Sequence, residues 1–147
     1  MRFLRILAYA AVGIAVLAPA AMSEQSTATR ATLTAHSSRF GKVLFDGRGF
    51  ALYAFTRDHG RSACYGACAK AWPPYFAPKG TLSVGPGVKR SLLGTVRRRD
   101  GRRQVTYAGR PVYYYVGDKR AGQILCQNVA EFGGTWLIVR PNGTLVR

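Results

Sequence analysis

Acidic residues are scarce in this chain: six Asp and Glu stand against 22 Lys and Arg among 147 residues. A calcium site takes about six to eight oxygen ligands, and so few carboxylates supply it poorly. Histidine is scarcer still, with only His36 and His59. No His-Glu-x-x-His, no Ser–His–Asp pattern and no phosphate-cradling glycine motif occurs. Neither Cys-x-x-Cys nor Cys-x-x-Cys-His is present, so covalent c-type haem has no attachment point. Beyond the first twenty residues there is no long apolar run, so the mature chain is expected to have no transmembrane span. With no constellation for acid–base or nucleophilic chemistry, the chain reads as a non-enzyme that needs no cofactor.

What is present is charge of one sign, at a formal net +16, on a chain that is 48% hydrophobic. That apolar content can build a core, and the charge points to anionic surroundings. The first residues are a targeting segment. Arg2 and Arg5 precede the uncharged run Ile6–Ala18, and Ala18-Pro19-Ala20 places small residues at the cleavage positions. This is the layout of a secretory signal peptide, residues 1–20, cut after Ala20. No cysteine lies near the cut, since the first is Cys64, so there is no lipobox. Loss of Arg2 and Arg5 leaves 20 basic and 6 acidic residues, a net of +14. Residues 21–39, rich in Ala, Ser and Thr, read as a flexible leader with at most a short strand at Thr32–Ala35.

From residue 40 onward short apolar runs alternate with turns. Lys42–Phe45 and Phe50–Phe55 flank Asp46-Gly47-Arg48-Gly49; Leu92–Arg98 and Arg102–Tyr107 flank Asp100-Gly101; Trp136–Arg140 and Thr144–Arg147 flank Pro141-Asn142-Gly143. Each is a hairpin signal, and Asp-Gly is a favoured tight-turn pair because both positions tolerate positive φ. Ala108–Pro111 turns the chain into a further strand, Val112–Val116, and Ala77–Val88 reads as a loop. One short helix is expected at Tyr65–Ala71, ended by Pro73-Pro74. The expected fold is mainly β: a small sandwich or barrel-like domain of antiparallel hairpins over residues 40–147.

The domain contains an internal repeat. Tyr53-Ala54-Phe55-Thr56-Arg57-Asp58 recurs as Tyr113-Tyr114-Tyr115-Val116-Gly117-Asp118, and Trp72 and Trp136 follow the respective copies. Repeat 1 covers about 41–76 and repeat 2 about 102–139. Two copies are too few for a solenoid and read as two halves of one shared core. Tyr53 and Phe55 lie two apart and share a strand face, as do Tyr113 and Tyr115. Tyr114 is out of phase with its neighbours and is the candidate for an aromatic ligand groove. Asp58 and Asp118 end their strands, where a carboxylate can accept loop N–H groups in an Asx-turn.

Cys64, Cys68 and Cys126 meet oxidising conditions after export, so one disulfide is expected and one thiol is left over. Gly66 allows the bend that a Cys64–Cys68 bridge requires, and a bridge from either to Cys126 would tie the halves together. The same three cysteines with His59 could instead form a site for zinc or another thiophilic metal, or a redox module. Arg97, Arg98, Arg99, Arg102 and Arg103 crowd one hairpin tip. Guanidinium groups grip phosphates and carboxylates bidentately, so this tip is the candidate anion contact. Nucleic acid would bind it in vitro in a salt-sensitive manner. Export makes anionic envelope polymers or lipid headgroups the expected partners.

The two motifs, with Cys64-Tyr65-Gly66-Ala67-Cys68 leading to Trp72-Pro73-Pro74 and with Gly133-Gly134-Thr135-Trp136, resemble a family of bacterial secreted proteins and lipoproteins. That family, the secreted repeat of unknown function, is defined by Tyr-x-(Phe/Trp/Tyr)-x-x-Asp. The resemblance covers roughly Phe40–Val139 and implies a Cys64–Cys68 disulfide. It implies no reaction. The chain departs from many relatives in lacking the lipobox cysteine and in having Cys126. The expectation is therefore a secreted cell-envelope protein acting as a binding or structural module with a basic surface. The alternative is a redox or metal-binding module built on the three cysteines.

Overall fold

A computed structural model describes residues 32–147. The expected signal peptide, its expected cleavage position and the part of the expected leader up to residue 31 lie outside the described residues. The elements are β1 (Leu33–Ser38), β2 (Gly41–Asp46), β3 (Tyr53–Phe55), α1 (Ala67–Ala71), a 3-10 turn (Arg90–Leu92), β4 (Leu93–Arg97), β5 (Arg103–Tyr107), β6 (Arg110–Tyr113), β7 (Val129–Glu131) and β8 (Gly134–Ile138). The fold is mainly β. Strands β1 and β2 form one antiparallel pair, and the other six form an antiparallel sheet in the order β4-β5-β6-β3-β8-β7. The larger sheet is open at β4 and β7 and does not close into a barrel.

The leader reading is corrected from residue 32 onward. β1 pairs with β2 along its whole length, from Leu33↔Asp46 to Ser38↔Gly41. Leu33 is fully buried, and Gly85 N–H bonds its carbonyl at 2.8 Å. A Ser/Thr-rich run has no strong periodicity of its own, and here the partner strand supplies the hydrogen bonds that hold it. Strand β7 was also hidden, because Val129–Glu131 has a single apolar β-former. Several expected strands are shorter than read. Phe50–Phe55 keeps only β3, and it meets β2 through the single bridge Phe45↔Ala51 instead of a paired hairpin. β6 stops at Tyr113, where Tyr114 N–H turns to the Pro73 carbonyl at 2.8 Å. Thr144–Arg147 keeps only the bridge Val139↔Leu145. The preceding turn depends on Gly143, at φ +87°, where a Cβ would lie 2.6 Å from that of Ala108.

The six-stranded sheet is buried on both faces, which follows from alternation along its central strands. Tyr53, Phe55, Tyr113, Trp136 and Ile138 face one apolar cluster. Ala54, Val112, Val105, Tyr107 and Val139 face the other. β2 contributes to both, with Val43 and Phe45 in the first cluster and Leu44 in the second. At the sheet centre Tyr53 is paired with Tyr113, so the two motif copies are adjacent antiparallel strands. This register positions every feature described next.

Candidate functional site

The motif residues form a reciprocal exchange between the two repeats. Tyr53 donates its phenol to Asp118 Oδ2 at 2.7 Å, and Tyr113 donates to Asp58 Oδ2 at 2.7 Å. Each tyrosine thus holds the aspartate of the other copy. The second carboxylate oxygen accepts a loop N–H of its own copy: Ala63 to Asp58 at 2.7 Å and Leu125 to Asp118 at 3.0 Å. These bonds span five and seven residues, wider than the Asx-turn expected from position alone. Tyr53 and Tyr113 are fully buried, and burial, with the adjacent carboxylate, pushes both phenols well above their ordinary range. Burial also raises Asp118 and carries Asp58 up to about 6.

The third motif position completes a column of four rings. Phe55 stacks on Trp136 at 4.2 Å, Trp136 on Trp72 at 4.0 Å with planes 1° apart, and Trp72 meets Tyr115 at 4.8 Å. Tyr53 stands edge-on to Trp72 and Tyr113 edge-on to Trp136. The rings alternate between repeats, so neither half has a complete core alone. The two tryptophans differ in their indole N–H. Trp72 Nε1 donates to Glu131 Oε2 at 2.8 Å, whereas Trp136 Nε1 has no partner among the described residues.

Cys64 and Cys68 form a disulfide, and Cys126 is a half-buried free thiol packed against the same cluster. Gly66, at φ +56°, provides the bend ahead of α1. The bridge takes two of the three thiols that the zinc alternative needs. Among the described residues no group of three or more His, Cys, Asp or Glu is placed to hold a metal.

The five hairpin arginines do not form one exposed patch, and Arg98 is corrected. It is 5% exposed and donates to Gln104 Oε1 at 2.8 Å, to the Cys64 carbonyl at 2.7 Å and to Ser62 Oγ. Its guanidinium lies over the Tyr65 ring at 4.3 Å. The turn at Asp100-Gly101 directs Arg98 inward and Arg97 and Arg99 outward, a division that a run of like residues does not reveal. Arg97 and Arg99 line a cleft of about 660 Å³ with Arg61, and Tyr65 forms its aromatic wall. Arg99 also covers that ring at 4.0 Å. Arg103, opposite Arg97 across β4 and β5, lines a separate cleft of about 610 Å³ with Lys79 and Arg90. Arg102 pairs with Asp100 at 2.8 Å and lies over Phe76. That exposed pair draws the Asp100 carboxyl below its usual range.

Sequence reasoning missed Arg61, Ser62, Tyr65 and Gln104 around Arg98, and Asp46. Asp46 is 2% exposed and accepts Arg48 Nε at 2.8 Å and the Tyr114 phenol at 3.0 Å. Its place in the Asp-Gly turn was a usable signal. A polar Gln104 inside the apolar strand was another.

These features define a two-repeat β protein in which the paired motifs of the two halves pack against each other. A family model described as a secreted repeat of unknown function matches residues 35–75 and 94–140, more than half of the chain. The chain belongs to this family of secreted repeat proteins. No curated protein and no solved structure matches it. No helix among the described residues is long and apolar enough to cross a membrane.

Proposed function

We propose that this chain is a non-enzymatic module of the cell envelope that binds an anionic polymer along its basic hairpin, without a cofactor. The observation that carries the reading is the cleft lined by Arg61, Arg97 and Arg99, with Tyr65 in its wall and the Arg99 guanidinium over that ring. Arg97 and Arg103 are cross-strand neighbours, so this cleft adjoins the one lined by Lys79, Arg90 and Arg103. A run of cations over two adjoining clefts suits a chain of repeated phosphates or carboxylates better than one small anion. The carboxylates support the same reading. Among the described residues Asp46, Asp58, Asp100, Asp118 and Glu131 each accept an internal hydrogen bond. Among the described residues only Arg48, Arg98 and Arg102 lie within ion-pair distance of an acid, which leaves Arg61, Arg97, Arg99 and Arg103 without one.

The test is retention on immobilised long-chain polyphosphate, with anionic vesicles as a second arm. The triple variant Arg61→Gln/Arg97→Gln/Arg99→Gln, with Arg98 intact, is expected to bind about tenfold more weakly or worse. Equal retention of wild type and variant would overturn the proposal. Capture by vesicles alone would replace the polymer with a lipid surface.

A further inference from the structure

A third cavity, of about 310 Å³, lies beside the second motif copy and shares no lining residue with the basic clefts. Its walls are rings and apolar groups: Phe50, Pro73, Tyr114 and Val116. Val116 is 47% exposed, an uncommon degree for an apolar residue at the end of a core motif. Arg48, Asp118 and Lys119 also line it. Tyr114 is the motif residue out of phase with the core pair, and it is fixed in place. Its phenol donates to Asp46 Oδ2 at 3.0 Å, and Arg48 Nη2 donates to it at 3.4 Å. Its ring also meets Tyr75 at 5.1 Å, so the platform is held from behind.

We infer that this cavity binds a neutral saccharide unit, with a pyranose ring lying against Tyr114. The charges select among ligand classes. Arg48 and Lys119 are matched by Asp46 and Asp118, so the locality has no net charge to attract an anion or a cation. An acyl chain would offer no hydrogen-bond partner to the Lys119 ammonium or to the remaining N–H groups of Arg48, at a cost for each. A sugar ring offers C–H groups to the aromatic faces, and its hydroxyls both donate and accept. Arg48 and Lys119 then supply donors, while the Asp118 carboxylate has acceptor capacity beyond its two present bonds. The volume is at the small end of ligand pockets, which suits one or two rings. The inference stands apart from polyanion binding, since the two sites share no residue.

The experiment is an amide NMR titration of the disulfide-intact protein with maltotetraose, cellotetraose and chitotetraose in turn. Polyphosphate serves as the contrasting probe. The expected result is that at least one oligosaccharide shifts the amides of Arg48–Phe50 and Tyr114–Lys119, leaving Arg97–Arg103 unmoved. Tyr114→Phe keeps the ring and is expected to bind within about threefold of wild type, while Tyr114→Ala weakens binding about tenfold. Lys119→Ala, at an exposed position that cannot disturb the fold, is expected to weaken it about threefold. The inference is overturned if none of the three sugars moves these amides, if polyphosphate moves them instead, or if Tyr114→Ala and Lys119→Ala both bind as wild type.

Discussion

The substitution Tyr53→Phe removes one oxygen and tests whether the motif is a cross-repeat clamp. In the native chain that oxygen donates to Asp118 Oδ2 at 2.7 Å, between residues that are 0% and 7% exposed. The variant keeps the ring, its edge-on contact with Trp72 and its place opposite Tyr113. What it loses is a buried hydrogen bond to a charged acceptor, and Asp118 then keeps only the Leu125 N–H. Such a loss costs about 2 kcal/mol, roughly 8 °C in melting temperature for a domain of this size. Asp118→Asn should lower the penalty of the missing donor, so the double variant should be more stable than the sum of the single losses by about 1 kcal/mol. Thermal unfolding by circular dichroism reads all three. A Tyr53→Phe midpoint within about 1 °C of wild type would refute the clamp, because a buried carboxylate does not lose its partner without cost.

Three other expectations follow from the same geometry. Asp58 protonates near pH 6 in the folded chain and near 3.9 when unfolded, so the native state holds the extra proton between those values. Its stabilising contribution is complete below about pH 4 and is lost as pH rises through about 6; partial solvent screening limits it to about 2 kcal/mol. Urea unfolding at pH 4.5 and 7.5 should show this change in wild type and lose it in Asp58→Asn. Arg98→Ala should cost about 3 kcal/mol or more, because the Cys64 carbonyl and Gln104 lose a buried partner. Arg97→Ala should stay within about 0.5 kcal/mol by the same urea assay. Cys64→Ser/Cys68→Ser should lower stability by about 2 kcal/mol, as expected for so short a loop. Intact mass of the unreduced wild type should show one thiol that takes up alkylating reagent, on Cys126.

Much of the frame was legible in the chain. The turn at Asp100-Gly101, with Gly101 at φ +82°, carries its own backbone preference and joins β4 to β5, and the repeated Tyr-x-aromatic spacing puts its rings on one face. The disulfide between Cys64 and Cys68 agrees with what the family resemblance implied. Other features depend on tertiary pairing, which local pattern does not encode. Strand β1 is held by β2 and by the loop at Ser83–Gly85. Each tyrosine crosses to the other copy's aspartate because Tyr53 and Tyr113 are register partners, and register is a property of the pair. Arg98 is indistinguishable from its neighbours until the turn assigns it to Gln104 and the Cys64 carbonyl.

The most direct test of polyanion binding is the salt dependence of polyphosphate affinity for the wild type and for Arg61→Gln/Arg97→Gln/Arg99→Gln. Each cation that contacts the polymer releases counterions, so the slope of log K against log salt counts the contacts. Wild type is expected to give a steep negative slope, and the triple variant a slope shallower by about two units. Equal slopes for the two proteins, or a wild-type affinity that does not change with salt, would contradict it.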